Sequence, residues 1–178
     1  SIPFLEEVKD MTAGSDVEHW LNQKYGPGSD LYESLAMLVR KGLADGWAAN
    51  IEIEGPTYRR SIIAPPSERT LHFSITTVYA DSRGNNQGHA DGRVRGQYHG
   101  HPYGEFNMVV PLTPGAALNG PNGWCHGGWT APAKRGGRLR ADDRILVRTK
   151  LGHSTDTPMP RGARSLRRPS LSATTPYF

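Results

Sequence analysis

Residues 98–112 read YHGHPYGEFNMVVPL, and how this stretch alternates decides the fold. Phe106, Met108 and Val110 fall on one side of an extended chain, Glu105 and Asn107 on the other, which is the two-residue period of a strand. His99 and His101 are also two apart and share a face. Between the two runs, Pro102, Tyr103 and Gly104 supply a tight connection, with Pro fixing one dihedral and Gly tolerating positive φ. The reading is a hairpin whose apolar set faces a core. Its polar set, His99, His101, Glu105 and Asn107, can then converge, and in a barrel such an inward polar face lines a cavity.

The same alternation extends outward. WAANIEIEG (47–55), YRRSIIA (58–64), LHFSITTVYA (71–80), GRVRGQYHGH (92–101) and EFNMVVPL (105–112) are strand-like runs separated by Gly, Pro and Asn clusters. They predict a mainly β domain, an antiparallel sandwich or small barrel. DSRGNNQGHADG (81–92) reads as a projecting polar loop, its His89 solvated. Before residue 47 the period is helical. SDVEHWLNQKYGPG starts with Ser15 and Glu18 at capping-box spacing, aligns Val17, Trp20 and Leu21, and stops at Gly26-Pro27. SDLYESLAMLVRKG takes Ser29 or Asp30 as cap, Leu31, Leu35, Leu38 and Val39 as its stripe, and Gly42 as stop. Two short α-helices therefore precede the β region, giving a helical pair over about 1–46 and strands over about 47–132.

Charge divides the chain at the same place. Residues 1–132 carry 10 Lys+Arg against 14 Asp+Glu, whereas residues 133–178 carry 11 against 3. The overall charge of +4 thus conceals an acidic domain and a basic segment. Residues 133–178, rich in Arg, Pro, Ser and Ala, are expected to be poorly ordered or the product of a shifted reading frame, with only RILVRTKL able to form a strand. At 178 residues the chain holds one core. No apolar run approaches a membrane span and no signal segment opens the chain, so a cytoplasmic, membrane-free protein is expected. The single cysteine, Cys125, excludes an internal disulfide and a Cys-x-x-Cys zinc site. Phosphate-binding and nucleophile-elbow motifs are absent.

Taken alone, His-x-His in a strand reads as two surface residues; the glutamate and the hairpin make it a candidate site. The H-x-H-x-x-x-E arrangement resembles the first metal motif of cupins, small β-barrels that hold a divalent ion with histidines and a glutamate. A wider resemblance is more specific. RRSIIAPPSERTLHFSI, GQYHGHPYGEFNMVVPL and GAALNGPNGWCHGGWTAP, together with LNQKYGPGS and GLADGW, resemble the 4-hydroxylaminobenzoate lyase family over Ser15 to Pro132. The resemblance implies a cupin-like barrel acting on 4-hydroxylaminobenzoate, a small aromatic carboxylate, to give protocatechuate and ammonium in nitrobenzoate degradation. After Pro132 the family's pattern breaks, and its later histidines are missing.

That chemistry needs groups able to give and take protons near neutral pH, which imidazole and carboxyl side chains supply. His99, His101 and Glu105 are the candidates, with Tyr103 as a further proton donor. The reaction requires no cofactor, or takes a divalent metal ion on the same His99, His101 and Glu105; the two roles compete, because a ligating histidine is no longer a free base. The substrate carboxylate calls for a cation. Arg59 and Arg60 point to opposite faces of one strand, and we favour Arg60. Trp124 and Trp129 bracket CHGG as candidate ring clamps, although packing under a glycine-rich loop is the more usual use of such residues. Asn107 and His72 complete the substrate-binding set; His126 is a further base or ligand, and Cys125 carries no sign of activation. Two rival classes remain: another metal-dependent cupin, a dioxygenase or isomerase on a small aromatic or acidic substrate, and, ranked last, a protein binding nucleic acid or acidic surfaces through its basic segment. No nucleic acid partner is expected, since that segment lacks interleaved aromatics. A homodimer is left open.

Overall fold

Strand β3, Phe73–Asp81, is the longest among the described residues and the axis of the fold. The computed structural model describes residues 2–53, 55–82, 94–95, 105–120, 122–132, 140–142, 144–146 and 150–153. Three helices come first: α1 Ile2–Val8, α2 Ser15–Tyr25 and α3 Asp30–Ala44. The strands flanking β3 in sequence are β1 Ile51–Glu52, β2 Tyr58–Ala64, β4 Val94–Arg95 and β5 Asn107–Pro111. Six short ones follow: β6 Ala117–Gly120, β7 Gly123–Cys125, β8 Gly128–Thr130, β9 Arg140–Asp142, β10 Arg144–Leu146 and β11 Lys150–His153. The larger sheet runs β1-β2-β3-β10-β5-β8, with β11 also paired to β3; the smaller runs β4-β9-β6-β7. Every described pairing is antiparallel.

Two layers cover the larger sheet. On its outer face Phe73, Phe106, Met108, Val110 and Trp129 form one core with Phe4, Leu5 and Val8 of α1, Leu21 of α2 and Tyr32 and Ala36 of α3. On its inner face Tyr58, Val78, Ala80 and Val109 pack against Ala116, Leu118 and Cys125 of the smaller sheet and its approach. Cover on both sides explains why five consecutive residues of β3, Thr77 to Asp81, are buried rather than alternating.

The fold departs from expectation at identifiable places. Helix and antiparallel sheet share the described residues in comparable measure, and among these residues the two sheets stack without closing into a barrel. Helix α1 is an addition, too short for a periodic signal. The capping box at Ser15 and Glu18 does not form: Gly14 is the N-cap and no side chain caps α2, because Glu18 is engaged elsewhere. Ser29 does cap α3, accepting from the Tyr32 N–H at 3.3 Å. Gly42 does not stop that helix, which continues to Ala44. A Cβ at Gly42 would lie 2.5 Å from the Trp47 ring, so its glycine serves close packing instead. Leu38 falls outside the buried stripe, which runs Tyr32, Ala36, Val39 and Gly42.

Beyond Pro132, the described residues of the basic segment contribute three strands. β10 lies between β3 and β5, with Ile145 opposite both Ala80 and Pro111. Residues 133–139 and those from 154 onward lie outside the described residues, as do residues 83–93, on which His89 and most of the polar loop expected over 81–92 fall.

Candidate active site

Glu105 is 1% exposed, the most deeply buried carboxylate among the described residues. Its N–H donates to the Pro132 carbonyl at 3.2 Å, prolonging the β5–β8 ladder beyond the pair Asn107 and Thr130. Phe106, Met108 and Val110 enter the helix-side core, so alternation sends Glu105, Asn107 and Val109 to the inner face between the sheets. Asn107 is buried as well, and its Nδ2 donates to Thr130 Oγ1 at 3.3 Å.

That inner face has an apolar end and a polar end. Tyr58, Val78, Ala80, Val109 and Leu118 make the first. Ser74 and Thr76 of β3, on the Val78 side of the strand, continue toward the other end. There the register places Gly152 opposite Ser74 and Lys150 opposite Thr76, with Glu105, Asn107 and Thr130 further across the sheet. A hydroxyl, amide and carboxyl set beside an apolar wall is the composition expected where a small ring with polar substituents is held.

The two adjacent arginines separate as strand geometry requires. Arg59 lies on the outer face, its guanidinium carbon 4.4 Å from the Tyr79 ring centre. Arg60 pairs across the strand with Val78, on the inner face, and is exposed.

The other candidates are scattered. His72 is exposed in the turn before β3, where it and Leu71 both adopt left-handed φ, so it does not belong to the strand. Trp129 turns away from Asn107: its ring is 1% exposed, 5.1 Å from Phe4, and Nε1–H donates to the Tyr25 carbonyl at 2.6 Å. It packs the helices onto the sheet. Trp124 is exposed and pairs with Asn119, while the neighbouring pair of Cys125 and Leu118 takes the inner face. His126 is exposed. Burial pushes the Cys125 thiol up, away from nucleophilic chemistry. His99, His101 and Tyr103 lie outside the described residues. Among the described residues no three of His, Cys, Asp and Glu gather as a metal site.

Sequence reasoning missed the residues that fix this corner. Thr130 holds Asn107. Tyr32 of α3 places its hydroxyl between two strands, donating to Val109 O at 2.7 Å and accepting from Gly128 N–H at 3.3 Å. Asn22 of α2 grips both backbone groups of Trp129, at 2.8 and 2.9 Å. Glu18 accepts from Ala131 N–H and from Asn122 Nδ2, each at 2.9 Å. A helical stripe reveals the apolar partners of a helix but not these polar ones.

The family model described as PnbB: 4-hydroxylaminobenzoate lyase matches residues 1–138, which include Glu105, Asn107 and Thr130 and end before β9. A protein named 4-hydroxylaminobenzoate lyase from Nocardioides sp. (strain LMS-CY) is 61% identical over 132 residues, covering 74% of this chain and 73% of its own. One of the same name from Pseudomonas putida is 54% identical over 132 residues, 74% of this chain and 75% of its own. No solved structure matches.

Proposed function

Because the chain belongs to the 4-hydroxylaminobenzoate lyase family, we propose that it is a carbon–nitrogen lyase converting 4-hydroxylaminobenzoate to protocatechuate and ammonia, released as ammonium. The observation that carries this reading is the 61% identity to a protein of that name across the region holding the candidate site. The rival dioxygenase and isomerase readings have no comparable support.

The overall reaction adds one water and releases ammonia, with no external oxidant or reductant, because the N–O bond of the substrate is itself the oxidant. Protonation of the hydroxylamine oxygen lets water depart and leaves an electron-poor iminium-like ring. A second water adds at the ring carbon next to nitrogen and loses a proton. A third hydrolyses the resulting imine and frees ammonia, and loss of the remaining ring proton restores aromaticity as the catechol. The order matters. Early loss of that ring proton would give 4-amino-3-hydroxybenzoate, which is aromatic and keeps its nitrogen.

Glu105 is assigned the proton transfers at the ring, from a sheltered position on the inner face. His99 and His101 precede it by six and four residues and are assigned to donate to the departing hydroxyl and to activate water, with Tyr103 assisting. Asn107, held by Thr130, is assigned to orient the nitrogen end of the substrate. Arg60 is assigned to the carboxylate, with the apolar end of the inner face against the ring. The donor types of His99, His101 and Glu105 also suit a divalent metal ion, which would polarise the hydroxylamine oxygen.

The reading extends to assembly and location. No described helix is long and apolar enough to cross a membrane, and a lone cysteine suits a reducing cytoplasm. The stacked antiparallel sheets support a cupin-like sandwich. Exposed Trp47, Ile51 and Ile62 near the β1 edge support pairing of two copies, which light scattering would measure.

The deciding experiment incubates the purified chain with 4-hydroxylaminobenzoate and measures protocatechuate and ammonia, with and without a chelator. Equal yields of both are expected. Substrate consumption without ammonia would overturn the assignment, and a chelator-sensitive rate would favour the metal-bound role of the histidine–glutamate set over the metal-free one.

A further inference from the structure

We propose that Glu18 and Asn22 of α2 are positioning residues for this reaction, acting through β8 as a substitute neighbouring strand that sets where Glu105 and Asn107 stand. The inference rests on the assignment of Glu105 to the proton transfers.

β8 ends the described sheet, so alternate backbone groups point away from β5 with no strand to receive them. Asn22 supplies what that strand would. Its Oδ1 accepts from Trp129 N–H at 2.9 Å and its Nδ2 donates to Trp129 O at 2.8 Å, the two bonds of a peptide group. Two residues on, Glu18 Oε2 accepts from Ala131 N–H at 2.9 Å, while Oε1 is held by Asn122. Glu18 and Asn22 are four apart and so stand one turn above the other on α2, which matches the two-residue spacing of Ala131, just past β8, and Trp129 within it. The chain makes room for this. Gly128 has φ +113°, and a Cβ there would lie 2.3 Å from Asn22 Oδ1.

The grip leads directly to the site. Thr130, between the two clamped residues, holds Asn107, and Pro132, beside Ala131, accepts the Glu105 N–H. Neither Glu18 nor Asn22 is on the inner face; their effect reaches the substrate through the placement of others. Loosening the clamp therefore lets β8 shift relative to β5 and moves the carboxyl. A displacement near 1 Å at a reacting group costs about 100-fold in rate.

The test compares Glu18→Ala, Glu18→Gln, Asn22→Ala and Glu105→Gln for kcat, KM and the ratio of 4-amino-3-hydroxybenzoate to protocatechuate, well below each melting midpoint. Glu18→Ala and Asn22→Ala are expected to lower kcat about 10- to 100-fold with KM within about twofold, and to raise the amine by-product. Glu18→Gln, whose amide oxygen still accepts from Ala131 N–H, is expected to recover most of the loss. Wild-type kcat and product ratio in folded Glu18→Ala and Asn22→Ala, with Glu105→Gln inactive, would make the clamp purely structural and overturn the proposal alone. If Asn22→Ala does not fold, Glu18→Ala decides, since it leaves the Asn22 grip in place. Turnover retained by Glu105→Gln would overturn both the proposal and the assignment beneath it.

Discussion

Replacing Tyr32 with Phe removes one oxygen from a buried position between β5 and β8. That hydroxyl donates to Val109 O and accepts from Gly128 N–H, two residues directly opposite each other in the ladder. The phenyl edge remains and keeps the strands apart, so the two backbone groups lose a partner without gaining each other. A buried backbone group left unpaired costs about 1–3 kcal/mol. The 3.3 Å contact from Gly128 is the weaker of the two, and the sum is about 2–4 kcal/mol, a large part of a typical stability of about 5–15 kcal/mol. In urea, with a slope of about 2 kcal/mol/M, the midpoint should fall by about 1–2 M with the slope unchanged. The melting temperature should fall by about 5–15 °C. Tyr25→Phe is the control: its hydroxyl meets Glu7 at the surface, and its loss should cost under about 0.5 kcal/mol. A cost for Tyr32→Phe as small as the control's would mean that the strands close directly on each other and that the hydroxyl is no structural bridge.

Burial holds the Tyr32 phenol above its ordinary range, so the fold favours the protonated form. This contribution is complete below the unfolded value of about 10 and is lost as pH rises through the higher folded value; wild-type stability should therefore fall more steeply above pH 10 than that of Tyr32→Phe, as read by urea midpoints at each pH. Gly128→Ala should cost about 3 kcal/mol from its positive φ and the loss of the Asn22 contact, whereas Gly14→Ala, with nothing within 4 Å of an added Cβ, should cost under about 1 kcal/mol by the same denaturation assay. Native Cys125 should react with iodoacetamide at pH 8 more slowly than in the urea-unfolded chain, since burial raises its thiol; an equal rate would contradict that environment. A chain ended after residue 138 lacks β10, the strand joining β3 to β5, and should lose cooperative unfolding; retention of both cooperativity and turnover would show the basic segment to be dispensable, and sequencing the coding DNA in all frames would establish its origin.

What the sequence made legible was local. Ser29 capped its helix, the α2 stripe of Val17, Trp20 and Leu21 met the core, and β2, β3 and β5 formed within the runs read as strands. β6, β7 and β8 are three or four residues each and lie among glycines, too short for a period to declare itself. The direction of Trp129 depends on its pairing with Met108, which no local pattern encodes. Ser15 and Glu18 had the right spacing for a cap, but a partner far along the chain outcompeted that local bond. His72 fitted the alternation of its run until two left-handed residues interrupted it one step before the strand began. In the basic segment, the run RILVRTKL was readable as strand-forming and holds β10, whereas its place between β3 and β5 is a tertiary fact. Of the site itself, the face shared by Glu105 and Asn107 was readable, and the residues that brace it were not.

The bonds from Asn22 to Trp129 and from Glu18 to Ala131 join residues more than a hundred positions apart. During synthesis at about 5–20 residues per second, helix α2 therefore waits on the order of 5–20 s after emerging from the ribosome before its polar partners exist. Over that interval Phe4 and Leu21 have no Trp129 to cover them, and for most of it no Met108. The nascent chain is then a natural client for a holdase that recognises exposed aromatic and aliphatic side chains, and a pause in translation just before codon 129 would prolong its dependence.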